Sequence, residues 1–282
     1  AVLENALIKR SFLENSNRYK PVIQYFKKYW QLVVTNFLYI LGLYIHNFVF
    51  WTTDARMTVA KSFVCNQPYD MASCLAMFTN ISATVIFISR VEMHFHEKYK
   101  FYSEAVIGGR GSDIKTTKQR MFRQLESELM TLVRIQFIIS VVIYLLCIIF
   151  LPQIGFGGMT MKIYPMLAAG YFVLFIMYSA IIFLYYFNDL MGSVYTAVGF
   201  CLVTWIGSLI ASHQSMIWYG AGLFAGALTG WTIAYARIRW VEKNMDAHIF
   251  CRGTLIPNGR GPKPSGLVYK KKVADVESGK AE

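Results

Sequence analysis

From Leu190 to Ala236 the chain reads LMGSVYTAVGFCLVTWIGSLIASHQSMIWYGAGLFAGALTGWTIAYA, 47 residues without a Lys, Arg, Asp or Glu. A helix rises ~1.5 Å per residue and needs ~20 apolar residues to cross ~30 Å of hydrocarbon. The run is therefore too long for one crossing and suits two joined by a turn. Its most polar point, Ala211-Ser212-His213-Gln214-Ser215, is where the turn belongs. Working outward, Tyr29–Thr53, Met71–Ser89, Ile135–Met161 and Ile163–Asn188 are likewise free of those four residues. The spacing predicts six transmembrane helices near 31–53, 71–92, 132–151, 165–187, 191–211 and 216–237. Trp30 with Trp51, and Trp218 with Trp240, stand where an aromatic belt would anchor the first and last of them. The expected fold is all-α, a polytopic transmembrane helix bundle with six spans.

Composition agrees. Of 282 residues 55% are hydrophobic and 16% charged, with a mean hydropathy of +0.39, whereas a soluble domain is nearer a quarter charged. The formal charge of +12 would suggest a nucleic-acid partner for a soluble protein. Here the cations cluster between the uncharged runs instead. Twenty-three lie in the N-terminal segment, the 94–130 connection and the tail from Arg237, against three (Arg56, Lys61, Lys162) in the alternate loops. By the excess of Lys and Arg on the cytoplasmic side, both termini and the middle loop are expected to be cytoplasmic. Three regions follow. Residues 1–30 form a basic segment, either amphipathic or the end of an earlier span; 31–250 form the transmembrane domain; 251–282 form a basic tail that reads as disordered. The chain starts at Ala1 without Met and is expected to be a portion of a longer one.

Within 94–130, Gly108-Gly109-Arg110-Gly111 breaks one helix, and Ser112 with Asp113 is positioned to start the next. The basic aromatic stretch Lys98-Tyr99-Lys100-Phe101-Tyr102 suits an anionic membrane surface. Glu92-Met93-His94-Phe95-His96-Glu97 has the residue types of a metal site. On a helix, however, His94 points away from the face shared by Glu92 and His96, so it reads as a helix end. Five cysteines without CxxC spacing suggest neither a disulfide frame nor zinc. No Walker loop, DxD-type site or GxSxG elbow is present, and neither a cofactor nor a metal is expected.

The candidate substrate-path or gating residues are Asp70, Asn80, Arg90, Glu92, Gln136 and Asp189. Ionisable groups at membrane depth are costly and usually face a partner or a wet cavity. Arg90 can instead snorkel to the interface, and helix capping is the ordinary role for Asp70 and Asp189. Asn36, His46, Thr79, Asn80 and Gln136 either bond between helices or line a wet path. Gly222, Gly226 and Gly230 recur every four residues, a stripe for close backbone packing.

The segments Tyr69-Asp70-Met71 through Leu75-Ala76-Met77-Phe78-Thr79, Phe87-Ile88-Ser89-Arg90-Val91-Glu92 and Phe95 to Gly109 resemble the transporter family of the Pel exopolysaccharide system. Leu184-Tyr185-Tyr186-Phe187-Asn188-Asp189, Trp218-Tyr219-Gly220 and Ala247-His248-Ile249-Phe250 continue the likeness, which runs over about 50–250. The resemblance implies an exporter of the multidrug-and-polysaccharide type with twelve helices in two halves, this chain resembling the C-terminal part. It implies a non-enzymatic protein that moves an amino-sugar-rich polymer across the bacterial cytoplasmic membrane, partnered by a cytoplasmic glycosyltransferase and small membrane subunits. It implies no substrate ligand among the residues, so Asp70, Arg90, Glu92 and Asp189 stand as motif positions only. Two alternatives are a non-transporting scaffold that recruits a synthase, and an acyltransferase using His46 or His213.

Overall fold

The computed structural model describes residues 20–59, 62–87, 93–108, 110–155 and 158–245. Among the described residues the architecture is all-α, 88% helical. The helices are α1 (Lys20–Lys28), α2 (Trp30–Trp51), α3 (Gln67–Ile86), α4 (Met93–Gly108), α5 (Gly111–Phe150), α6 (Met159–Tyr186), α7 (Leu190–Ser212) and α8 (Ala221–Met245). A two-stranded antiparallel hairpin, β1 (Met57–Val59) with β2 (Phe63–Cys65), sits in the α2–α3 connection, pairing Met57 with Cys65. Residues through Lys243 form one compact unit; of the second, Asn244–Glu282, only Asn244 and Met245 are described.

Among the described residues, four helices are long and apolar enough to cross a membrane: α2, α5, α6 and α7. The α3 sequence is uncharged after Asp70, but Ser73, Thr79, Asn80, Ser82 and Thr84 dilute its apolar content. The α8 sequence is diluted by glycine and threonine, and Arg237 and Arg239 interrupt it. The Ala211–Ser215 turn is present: α7 ends at Ser212, and a single 3-10 turn, Met216–Trp218, leads towards α8. The second part of the middle connection, from Gly111, and the third expected span are one continuous helix of 40 residues. Its start is held by Asp113, whose carboxylate accepts the Arg110 backbone N–H at 3.2 Å.

The centre of the bundle is α6, which is apolar around most of its circumference and buries Leu167, Tyr171, Leu174, Met177, Phe183 and Leu184 among others. Neighbours α3, α5 and α7 all pack on it. The most extensive pairing joins α2 to α7, where Gly42 lets Phe200 and the Cys201 backbone approach. At the C-terminal end of α6, the rings of Phe87, Phe95 and Phe183 meet edge to face, and Phe122 stacks on Phe187 at 5.4 Å. These contacts fasten α4 and the charged half of α5 to the bundle. Beyond that half, α5 leaves Phe137, Ile138, Val142, Leu145 and Ile149 exposed. Such a face is costly in water and suits a hydrocarbon neighbour.

Candidate functional site

Among the described residues, four knots of polar side chains stand inside the bundle. At the α2–α3 end, the Asp70 carboxylate accepts the Trp51 indole N–H at 2.9 and 3.0 Å and the Asn66 backbone N–H at 3.1 Å. Asn66, itself buried, extends its amide towards the Phe50 carbonyl at 3.4 Å. Asp70 stands in the first turn of α3, where a carboxylate complements the positive end of the helix. The Trp51 anchor and the Asp70 motif position are thus one structure.

Beside it, His46 of α2 and Tyr69 of α3 are both fully buried, with Nδ1 and the phenol oxygen 2.8 Å apart. Ser73 and Tyr171 pair alongside at 3.0 Å, tying α3 to α6. The other ring nitrogen of His46 has no hydrogen-bond partner among the described residues. In the third knot Gln136 of α5 donates to the Asn80 side-chain oxygen at 3.0 Å and lies 3.5 Å from the Thr79 hydroxyl. The Gln136 side chain is fully buried, and its Oε1 accepts no hydrogen bond among the described residues.

The fourth knot is ionic. Asp189 starts α7 and accepts the Gly192 N–H at 3.2 Å. Arg237 of α8 reaches it with two parallel bonds, Nε to Oδ2 at 2.9 Å and a terminal nitrogen to Oδ1 at 2.8 Å. Asn188, with φ of 55°, makes the turn that delivers Asp189. Arg237 also lies over the Trp240 ring, 4.5 Å from its centroid.

Four of the six path candidates are therefore placed. Asn80 and Gln136 touch each other, whereas Asp70 and Asp189 belong to different knots; Arg90 and Glu92 lie outside the described residues. None of the four lines a groove of about 600 Å³ between α5 and α8, with Ile176 and Ala180 of α6 as its floor. There Arg239 donates to the Tyr235 hydroxyl and to Glu242, each at 3.0 Å, and these partners raise its pKa above the ordinary guanidinium value. In α4, burial pushes the Tyr99 phenol up.

Sequence reasoning missed the partners. Tyr69, Asn66, Ser73 and Tyr171 look like ordinary helix residues, and Arg237 looks like one more cation of the basic tail. Tyr69 immediately before Asp70, on a helix with polar residues at 73 and 80, is the one local signal for a polar face.

A mutation separates the two roles open to the Asn80–Gln136 pair. Interhelical hydrogen bonds in membranes contribute about 0.6–1.7 kcal/mol. Gln136→Leu removes both the bond and the unpaired oxygen, so its melting temperature in detergent should move little. Asn80→Ala leaves the Gln136 amide buried without its best acceptor and should cost about 1–3 kcal/mol. Equal destabilisation by both variants would contradict the geometry.

No curated protein and no solved structure matches the chain. Residues 1–250 match the family described as "PelG: Putative exopolysaccharide Exporter (EPS-E)". That match takes in every described residue, the apolar spans and all four buried knots, and the chain belongs to the PelG family of exopolysaccharide exporters.

Proposed function

We propose that the chain is part of a transporter that carries a Pel-like amino-sugar polymer across the bacterial cytoplasmic membrane. In this reading α3 and α8 complete six spans, and both termini and the 94–130 region are cytoplasmic. A glycosyltransferase and small membrane subunits then dock on the cytoplasmic face. The family match over 1–250 carries the reading. The physical demand is clear. Hydroxyl and acetamido groups cannot enter hydrocarbon without replacement hydrogen bonds, since each unsatisfied group costs several kcal/mol.

Asn80, and Gln136 with its spare acceptor, are the proposed neutral contacts of the path. Asp70 and Glu92 are proposed to attract free amines on the polymer, while Arg90 and Asp189 hold gating positions. Rocking of this bundle against its counterpart would open the route alternately to each side.

The test is secreted polymer from cells expressing the full-length protein. Asp70→Asn with Glu92→Gln should lower it about tenfold, the equivalent of one charge-assisted hydrogen bond. Normal export by the double variant would remove the amine-attraction role. Retention of the glycosyltransferase on a variant with neutralised 94–130 cations would argue against docking there.

A further inference from the structure

We propose that the groove between α5 and α8 binds one anionic phospholipid, with its phosphodiester headgroup at the charged mouth and an acyl chain along the apolar inner half. The argument starts from the polarity gradient. On α5 the lining runs from Gln119 and Arg123 to Leu129 and Val133; on α8 it runs from Glu242 and Arg239 to Tyr235 and Trp231. The two antiparallel sequences place their charged ends together and their apolar ends together. An amphiphile has that same gradient. A sugar polymer does not, because it needs polar partners along its whole length and the inner half of this groove supplies few.

Charge gives the sign of the headgroup. The mouth continues into a second cavity that shares Gln119, Phe122, Arg239 and Glu242 and adds Lys115, Lys118 and Lys243. Among the described residues around the joined cavities, Lys115, Arg123, Arg239 and Lys243 outnumber two carboxylates, Glu126 and Glu242, so the mouth is net positive. Glu242 is already engaged by Arg239, so it offers an incoming anion less repulsion than its charge suggests. Arg239 commits two of its five N–H donors to Tyr235 and Glu242. The rest can reach a phosphate in the bidentate manner that guanidinium favours.

Length and depth agree. Gln119 to Val133 is about 21 Å along a helix, close to half the ~40–45 Å thickness of a bilayer with its headgroups. The groove also sits where α5 changes from its charged half to its uncharged half, which ends at Phe150. Basic pockets between membrane helices are the recurrent setting for anionic headgroups. The site rests on the membrane reading of the helices and is independent of which polymer is exported.

The test uses the purified full-length protein in neutral detergent, with bound lipid counted by native mass spectrometry. Phosphatidylglycerol should give a one-to-one adduct, phosphatidylcholine a much weaker one, and inorganic phosphate or glycerophosphoglycerol none. Lys115→Gln, Arg123→Gln and Lys243→Gln together should weaken phosphatidylglycerol about 100-fold, roughly fivefold per cation. All three side chains are exposed, so folding should not change. Val133→Trp fills the inner half while keeping every cation and should abolish the adduct. Equal binding of the two lipids would overturn headgroup recognition. An adduct that survives both variants would overturn the location. A Val133→Cys thiol closed to maleimide in lipid-free protein would show that a polypeptide segment fills the groove, and would overturn the proposal.

Discussion

Arg237→Ala should cost about 3–5 kcal/mol of stability, among the largest effects of any side-chain truncation in this chain. The Asp189 side chain is only 3% exposed, so removing the guanidinium leaves a carboxylate with one remaining donor among the described residues, the Gly192 N–H. Burying an unpaired charge is what makes such a truncation expensive; the intact pair itself contributes less than that figure, because both ions were desolvated to form it. Arg237 is 28% exposed, which places the expected value near the lower end of the range. Thermal unfolding in detergent should show the loss as a fall in melting temperature and in yield of folded protein.

The same geometry makes a sharper claim about rescue. Asp189→Asn with Arg237→Gln removes both charges while an amide oxygen still caps α7, so it should recover much of what Arg237→Ala loses. Charge reversal, Asp189→Arg with Arg237→Asp, should recover little, since arginine cannot accept the Gly192 N–H. Gly192 leaves no alternative arrangement: a Cβ there would lie 2.9 Å from the Asp189 carboxyl carbon and 3.0 Å from Arg237 Nε. If charge reversal restored stability fully, the capping bond would contribute nothing and the knot would be a simple ion pair.

The sequence shows the rods more clearly than the joints. Uncharged runs bounded by Trp30, Trp51 and Asn188-Asp189 mark α2, α6 and α7, because absence of charge over ~20 residues is a one-dimensional signal. The turn after Ala211 is legible for the same reason. The start of the span inside α5 is less so, since a continuous helix passes from 111 to 150 with no punctuation between its charged and uncharged halves. Spans at α3 and α8 rest on weaker patterns: one is studded with Ser, Thr and Asn, the other with Gly and Thr.

Of the candidate site, the residue types were legible but not their companions. Asp189 and Arg237 lie 48 positions apart, and Gln136 and Asn80 lie 56 apart, distances at which no periodicity links them. His46 and Tyr69 come together because the hairpin brings α3 back beside α2. The groove between α5 and α8 was not legible at all, because it is a gap between helices, defined by what does not touch.

The glycine stripe of α8 was legible as a pattern, and the structure turns it into a ranked expectation. At Gly226 a Cβ would stand 2.8 Å from the Thr204 backbone nitrogen and 2.9 Å from the Phe200 carbonyl oxygen, with the Thr204 hydroxyl closer still. Backbone atoms of a neighbouring helix cannot step aside, so the two helices must separate and lose packing along their whole contact. Gly226→Ala should cost about 1–3 kcal/mol, and Gly226→Leu should yield no folded protein. At Gly230 the obstruction is mainly the Met177 thioether, the far end of a flexible side chain that can rotate away, so Gly230→Ala should be the milder change. A methyl group added at Gly111 would meet nothing within 4 Å, and Gly111→Ala should be neutral or slightly stabilising through helix propensity. Combining Gly226→Ala with Thr204→Ala relieves the hydroxyl but neither backbone contact, so it should not restore stability. Monodisperse yield and melting temperature should rise from Gly226→Leu through Gly226→Ala and Gly230→Ala to Gly111→Ala. A Gly226→Ala protein as stable as Gly111→Ala would mean that α7 and α8 do not meet at their backbones.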